Sequence, residues 1–352
     1  MRQDKSFEFA RTLLSIAISL ALAFAIIALS SKEPLAALRY FIIGPLDSAS
    51  HIGNIIEMAI PLVFTGLYYS ILFKSNLFNL GAEGLFFSSG LLSGMLGATT
   101  YMPPGLHPFV LILAGGLLGA LLGLIPCAIN YKWGASTLVV SLMMNSILYG
   151  ICMFLLNNKF RDVSSYTIVT EPFQATAKLA RIIPGTRVHA GAIIAIACCV
   201  FLYLFLNRTK WGYELRMLGS NKHFAEYSGM GVASIMFLAH AISGALAGIG
   251  GSVEVLGMYS KFQWTSLPGY GLDGALIALL AKSNPAVVPF AALFIAYIRN
   301  GADMMARLSD VPAEMVALVQ AAIILLISSQ ALLKGLRERS LLSKLKGENA
   351  NA

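Results

Sequence analysis

Long apolar blocks separated by short polar connections run along almost the whole chain. A helix needs about 20 mostly apolar residues to cross a bilayer, so each long block predicts a transmembrane helix. Ten spans are predicted, of which the eighth and ninth are short: 12–29, 55–73, 79–98, 109–130, 136–156, 190–206, 234–256, 271–281, 286–299 and 312–333. The strict alternation of a membrane β-barrel does not occur. The pattern therefore predicts an all-α polytopic membrane protein.

The polar segments divide the chain around a transmembrane domain at 12–333. Residues 1–11 and the basic residues 334–352 are predicted to be cytoplasmic tails. The 157–189 connection is predicted to be external, as a lid, a short surface helix or a plain linker, and 207–233 is predicted to be cytoplasmic. The first block has some features of a signal peptide, but its apolar core is longer than the roughly 7–15 residues of such a segment, which favours a retained span.

Composition and charge exclude other classes of protein. Hydrophobic residues make up 57% and charged residues 12% of the 352 positions, and the mean hydropathy is +0.74, whereas a soluble domain carries about 25% charged residues. The net charge is +8, but no basic stripe with interleaved aromatic residues argues for nucleic acid. Most lysines and arginines lie in the tails and in connections assigned to the cytoplasm. This bias predicts an inner-membrane protein with both ends inside, although 157–189 is also basic.

Residue patterns of catalysis and metal binding are missing from the sequence. The four cysteines, at 127, 152, 198 and 199, lie in apolar blocks and are interpreted as packing residues. The five histidines are scattered, and neither HExxH nor GxSxG occurs, so no metal, cofactor or enzymatic activity is predicted. The glycines at 269–274 fit a dinucleotide fingerprint only formally, because they lie between predicted spans. No Gly-Lys pair occurs, so the chain has no Walker A phosphate loop.

Two segments interrupt the spans with glycine and acidic residues. The first contains Gly81, Glu83 and Gly84, and the second contains Gly271, Asp273 and Gly274. The predicted topology puts the first at the cytoplasmic face and the second at the external face. Such a pair predicts an inverted repeat of spans two to five and seven to ten; the alternative is a coincidence of two helix ends. The acids are interpreted as structural residues of broken helices.

Other polar and small residues within the spans suggest lining and packing roles. Asn79 and Asn145 are candidates to line a path through the protein; the alternative is that they cap helices or join them by hydrogen bonds. Small-xxx-small patterns occur at glycines 90 and 94, 115, 119 and 123, and 244 and 248. They predict close helix packing within the chain, or alternatively at a contact between two such chains.

The 207–233 connection has the pattern of two short helices. Gly219 and Gly229 are predicted to break it, and Ser220 and Asn221 are placed to cap a second helix. A helix–turn–helix beneath the bilayer is suited to docking a cytosolic partner, whereas the alternative is a solvated amphipathic loop.

The 207–233 connection and three other segments resemble those of a known family. The stretch 212–229 is similar to the coupling-loop motif of ABC importer permeases for nucleosides and simple sugars, through Gly212, Arg216, Gly219, Asn221, Ala225, Tyr227 and Gly229. The runs at 78–84, 269–274 and 278–285 also resemble this family. Met217, His223 and Phe224 depart from its pattern. The Gly-Ala-Glu-Gly form at 81–84 looks most like permeases that work with purine-nucleoside-binding lipoproteins.

The resemblance implies a non-catalytic permease subunit with a core like that of the vitamin B12-type importers. It implies half of a translocation path, a second and different permease subunit, a cytosolic ATPase subunit that holds the ATP and magnesium, and an external substrate-binding lipoprotein. By this resemblance the seven matched residues of 212–229 serve ATPase coupling. Asn79 and Asn145, as polar residues in apolar spans, and Tyr270, as an aromatic ring, are predicted to line the path. Simple-sugar permeases and ion-coupled secondary transporters are the alternatives.

Overall fold

The computed structural model describes residues 32–312, together with 24, 27–28, 314–316, 318–319 and 321–322. The two predicted tails, most of the first predicted span and much of the last lie outside these residues. Eleven helices are named here: α1 Pro34–Ile42, α2 Ala49–Lys74, α3 Ala82–Thr99, α4 Leu106–Trp133, α5 Thr137–Lys159, α6 Gly191–Arg208, α7 Lys210–Ser220, α8 Lys222–Tyr227, α9 Val232–Met258, α10 Tyr270–Leu280 and α11 Val288–Leu308. Two short 3₁₀ helices, Gly44–Leu46 and Ala175–Ala177, complete them.

Helix is the dominant structure of the described residues, in which β-pairing is limited to two isolated bridges. Within the part of the chain that the structure describes, five helices are long and apolar enough to cross a membrane: α2, α4, α5, α6 and α9. They coincide with predicted spans, and this confirms a mostly helical protein with several apolar helices. The interrupted spans correspond to α3, which begins only at Ala82, and to α10, which has 11 residues. The ninth predicted span, 286–299, overlaps α11, a helix that continues to Leu308.

The chain forms two compact units, Gly53–Phe294 and the described parts of Met1–Ile52 with Ile295–Ala352. In the second of these, Phe41 of α1 lies in an apolar cluster with Ile298 and Met305 of α11. The Tyr297 hydroxyl donates a 2.5 Å hydrogen bond to the carbonyl of Ile42. These contacts join α1 to α11 across more than 250 positions of sequence.

In the unit Gly53–Phe294, α9 packs along α4 and α3. Gly119 of α4 lies directly against Gly244 and Gly248 of α9, so close that a Cβ on any of them would collide with the backbone of the other helix. The neighbouring Gly115 and Gly123 make similar close approaches to α9. This arrangement confirms that the predicted small-residue pattern serves packing within the chain. The opposite face of α4 presents exposed leucines, as expected of a helix surrounded by lipid.

The 157–189 connection folds over one end of α3 and α9. The backbone amide of Phe173 donates to the carbonyl of Ser260 at 2.9 Å, and that of Leu179 donates to the carbonyl of Leu256 at 3.0 Å. Phe173 also enters an apolar cluster with Phe262 and Trp264. The connection is therefore an ordered cap with one short 3₁₀ helix and two β-bridges, which agrees with the predicted lid and not with a plain linker.

Candidate functional site

The first part of the site is the segment formed by α7 and α8. Thr209 caps α7, because its hydroxyl oxygen accepts the backbone N–H of Gly212 at 3.1 Å. Leu215 and Leu218 are buried on one face of α7, which is amphipathic at the spacing i, i+3. The helix thus lies with its apolar face against the protein and its polar face outward.

Asn221 begins α8 as the sequence predicts. Its Oδ1 atom accepts the backbone N–H of Phe224 at 3.1 Å. Gly229 follows the end of α8 with φ of +77°, a left-handed conformation that favours glycine. Gly219, however, lies inside α7, so the predicted break at this residue is wrong. The chain changes direction at Asn221, where the backbone is extended.

Three of the seven coupling residues predicted here fasten this segment to the rest of the protein. Gly219 packs against the backbone of Lys74 and Ser75 at the end of α2, where a Cβ would overlap the Lys74 carbonyl. Gly212 makes a similar approach to the end of α6. Ala225 of α8 is fully buried. At Gly219 and Gly212, α7 therefore lies against the backbone of the ends of α2 and α6, with no side chain of either glycine between them.

The remaining predicted residues are polar or exposed. Arg216 donates a 3.2 Å hydrogen bond from Nη1 to Oδ1 of Asn207, near the end of α6. Tyr227 is 93% exposed, and Phe224, one helical turn before it on the same face of α8, is 51% exposed. Trp211 of α7 is also exposed. Sequence reasoning noted Phe224 only as a departure from the family and did not consider Trp211. The signal for both is an aromatic side chain in a connection that the sequence assigns to the cytoplasm.

The second part of the site is the irregular backbone between α2 and α3. Asn79 is 1% exposed, and its Oδ1 accepts hydrogen bonds from the Tyr68 hydroxyl and from the Gly81 amide, each at 2.8 Å. Asn145 of α5 is half-buried. Its Nδ2 donates to the carbonyl of Leu80 at 2.9 Å, and its Oδ1 accepts the amide of Gly84 at 2.9 Å. Both asparagines therefore satisfy backbone groups that the broken helix leaves without partners.

The two interrupted segments meet each other. Oε1 of Glu83 accepts the backbone N–H of Gly269 at 2.5 Å, and Oε2 accepts that of Gly271. A carboxylate at the beginning of α10 also interacts favourably with the helix dipole. The sequence-based topology, which put these segments at opposite faces, is wrong on this point, because direct contact places them at one depth. Gly274 packs on Thr65 of α2 and leaves no room for a side chain, while Asp273 is buried beside it.

A pair of buried acids lies in α2 and α9. Glu57 and Glu254 are 8% and 1% exposed, and their carboxylates interact electrostatically with each other. Tyr270, at the first position of α10, forms a hydrogen bond with Glu254 and contacts the ring of Phe86. Arg187 in the 157–189 connection attracts the carboxylate of Glu57. Tyr270 therefore connects the start of α10 to a buried acid of α9.

Two titratable groups of the 157–189 cap have altered pKa values. His189 is buried between Gly191 and Gly257, and burial lowers its pKa to about 4. Its Nδ1 accepts the amide of Gly191 at 3.2 Å, which requires the neutral ring. The pKa of Asp162 is lowered by hydrogen bonds from Ser164 and by Lys261, whose Nζ lies 3.4 Å from Oδ2.

Candidate ligands for a metal ion do not gather anywhere in the described residues, where no three His, Cys, Asp or Glu side chains come together. The four cysteines are free thiols and three of them are buried. The described site therefore consists of helix ends, amide side chains, buried carboxylates and the Tyr270 phenol.

A family model described as the permease component of branched-chain amino acid transport systems matches residues 51–328. This match extends over most of the chain and includes every part of the site described above. The chain belongs to this permease family. The five long apolar helices agree with a permease embedded in a membrane.

Several characterised relatives are ABC transporter permeases. The guanosine ABC transporter permease protein NupP of Bacillus subtilis is 29% identical over 307 residues, 86% of either chain. The nucleoside ABC transporter permease protein NupB of Lactococcus lactis is 29% identical over 88% of this chain and 89% of its own. The glucose ABC transporter permease protein TsgB13 of Haloferax volcanii is 27% identical over 87% of this chain and 83% of its own.

Proposed function

We propose that this permease is the membrane-spanning subunit of an ATP-driven importer for nucleosides. It forms half of the translocation path and is coupled to a separate ATPase subunit through α7 and α8. The observation that carries the proposal is the attachment of this segment. Gly219 and Gly212 join it rigidly to the ends of α2 and α6, while Phe224 and Tyr227 are left exposed. An exposed aromatic pair on a fixed helix is suited to docking.

ATP is hydrolysed by the partner in this proposal. The sequence contains no Gly-Lys pair and hence no phosphate loop of the Walker type. Closure of the ATPase subunits displaces α7, and the displaced ends of α2 and α6 open the path alternately to the two sides. The other partners are a second, different permease subunit and an external lipoprotein that binds the substrate. The permease itself needs no cofactor.

The membrane arrangement proposed with this function has ten spans in an inverted repeat, like that of the vitamin B12-type importers, with both termini on the cytoplasmic side of the inner membrane. The contact between Glu83 and Gly271 supports it, because two half-helices that begin at the same depth are typical of inverted-repeat transporters. In this arrangement α7 and α8 are cytoplasmic, and the 157–189 cap is external and faces the lipoprotein.

Nucleosides are the proposed substrates because two of the similar permeases are a guanosine permease and a nucleoside permease. Asn79, Asn145 and Tyr270 are the proposed path residues, with amide groups for a ribose or base and a phenol ring to stack on a base. A simple sugar is the second candidate, favoured by similarity to a glucose permease of nearly equal identity.

The test is uptake by proteoliposomes that contain the permease with the ATPase, permease and lipoprotein subunits encoded beside it. We expect ATP-dependent uptake of labelled nucleosides, and uptake of glucose would favour the second candidate. Uptake by this chain alone, driven by an ion gradient, would contradict both ABC-permease candidates and would indicate a secondary transporter. Tyr227→Ala should abolish stimulation of the ATPase by substrate without changing thermal stability. Tyr166→Ala, at another fully exposed tyrosine, is the control and should change neither.

A further inference from the structure

A polar cavity of about 590 Å³ lies where α2 and α6 end, against the connection between α10 and α11. Lys74, Asn207 and Lys282 line it, and the described lining residues include no Asp or Glu. Ser283 and Asn284 add further hydrogen-bonding groups to the wall. Both lysines are exposed, and a wall that carries two ammonium groups and no carboxylate favours an anion.

The backbone holds Lys282 in an uncommon conformation. Lys282 and Ser283 have φ values of 51° and 52°, in the left-handed region that residues other than glycine rarely adopt. Their amides donate to the carbonyls of Leu279 and Ala278, at 3.0 and 2.8 Å, and thereby close the end of α10. Two consecutive strained residues are maintained only where the surroundings impose them, and they orient the connection around this cavity.

The cavity continues onto apolar surface. Tyr203 of α6 and Val287 before α11 line it and are themselves exposed. Beyond them, Val200 and Phe290 are exposed as well. Because α6 is long and apolar enough to cross the membrane, its exposed apolar side chains are expected to face acyl chains. The last turns of α2 and α6 then lie near the depth of the lipid headgroups.

We propose that this cavity binds an anionic phospholipid, with the headgroup phosphate between Lys74 and Lys282 and the acyl chains along the exposed faces of α6 and α11. Basic pockets at the membrane surface recognise such headgroups. A carboxylate from a protein partner would satisfy the lysines but would not cover the apolar rim. The lipid explains both the charge and the adjoining apolar surface.

The position of the lipid also links it to α7. Lys74 is the residue whose carbonyl meets Gly219, and Asn207 is the residue whose Oδ1 accepts the hydrogen bond of Arg216. A headgroup held by these residues therefore stabilises the attachment of α7. Binding itself requires neither ATP nor a transported substrate, so this site stands independently of the proposed function.

The experiment measures retained lipid. The wild-type permease and a Lys74→Gln/Lys282→Gln variant are reconstituted in nanodiscs of phosphatidylglycerol and phosphatidylcholine, and lipids bound to the chain are counted by native mass spectrometry. At about 1 kcal/mol for each lysine, phosphatidylglycerol binding should weaken about fivefold for each single variant and about 30-fold for the double variant. Lys74→Arg/Lys282→Arg, which keeps both charges, should retain the lipid and shows that the fold tolerates change at these positions.

Lys132→Gln is the matched control, because Lys132 lies in the last turn of α4, is exposed and contacts Trp133 instead of the cavity. Equal phosphatidylglycerol binding by the wild type and the double variant would overturn the proposal, as would an equal loss in the control. Binding of inorganic phosphate as tightly as phosphatidylglycerol would overturn the lipid in favour of a soluble anion. The proposal would also be overturned if the permease lost the bound lipid when it assembled with the ATPase subunit. An acidic group of that subunit would then be the occupant of the cavity.

Discussion

The carboxylate of Glu83, in the first turn of α3, accepts the backbone N–H of Gly271, in the first turn of α10. It also accepts the N–H of Gly269, so one side chain satisfies two amides at the start of the other short helix. The helices α3 and α10 are thus joined to each other at their first turns. The acidic and glycine residues that interrupt the predicted spans therefore also make the contact between the two helices.

Replacement of Glu83 by Gln should destabilise this junction. Glutamine has one acceptor oxygen and no charge, so one amide of α10 loses its partner and the other loses a charge-assisted hydrogen bond. Hydrogen bonds to charged groups contribute about 1.5–3 kcal/mol, and we expect a loss of that order in thermal unfolding of the purified permease. Glu171→Gln, at an exposed residue of the 157–189 cap, serves as the control. Equal stability of the two variants would contradict this account.

Asn145→Ala distinguishes a structural role from a path role. The substitution leaves the Leu80 carbonyl and the Gly84 amide without their partners, at about 1–3 kcal/mol for each group that stays buried. We expect a clear fall in the melting temperature of the variant. Asn157→Ala removes only an exposed hydrogen bond within α5 and should leave it unchanged. A variant of Asn145 with normal stability and an altered KM for uptake would identify a residue that only lines the path.

Gly219→Ala tests the attachment of α7. The added Cβ would overlap the Lys74 carbonyl, so α7 or the end of α2 must shift, at a cost of about 1–3 kcal/mol. We expect the variant to assemble in the membrane with reduced stimulation of the ATPase. Gly231→Ala is the matched control, because a Cβ there meets only Ser234 at ordinary contact distances. Unchanged stimulation in Gly219→Ala would remove this contact from the mechanism.

A fall in pH should destabilise the 157–189 cap, because the buried His189 becomes protonated only when the cap opens. Burial lowers the pKa of His189 to about 4, whereas an exposed histidine has a pKa of about 6.5. Its contribution to stability is complete above about pH 6.5 and is lost as the pH falls towards 4, because only the opened cap binds the proton. Over this range the loss is at most about 3 kcal/mol.

Hydrogen exchange of the amides at 180–190 measures this loss. Exchange should accelerate between pH 6.5 and 4, after correction for the intrinsic rate, and His189→Gln should abolish the added acceleration. His223→Gln, at an exposed histidine of α8, should keep it. A wild-type cap with the same corrected exchange at both pH values would contradict the assignment.

The sequence predicts local features of this permease better than contacts between distant residues. Asn221 was predicted to cap a helix because its side chain can accept a neighbouring backbone amide, which needs no tertiary information. Gly219 was predicted to break a helix, since glycine has low helix propensity. In the structure Gly219 allows α7 to approach the backbone of Lys74 closely, a contact across 145 positions that no local pattern reveals.

The same distinction applies to the interrupted spans. Glycines beside an acid indicated broken helices, but the partner of Glu83 lies 188 positions away. Asn79 and Asn145 were recognised as unusual in apolar blocks, yet their hydrogen bonds depend on backbone groups that only the folded break exposes. The end of α11 at Leu308 was missed because Arg299 and Asp303 lower its hydropathy, while neither residue prevents a helix.

The backbone contact between Gly119 and Gly244 has a mechanical consequence. Side chains that separate most helices can change rotamer and let one helix slide past another, but here none intervenes. The helices α4 and α9 should therefore keep a constant separation while other helices tilt during transport. In the proposed transport cycle, they are the fixed pair of helices relative to which α2 and α6 move.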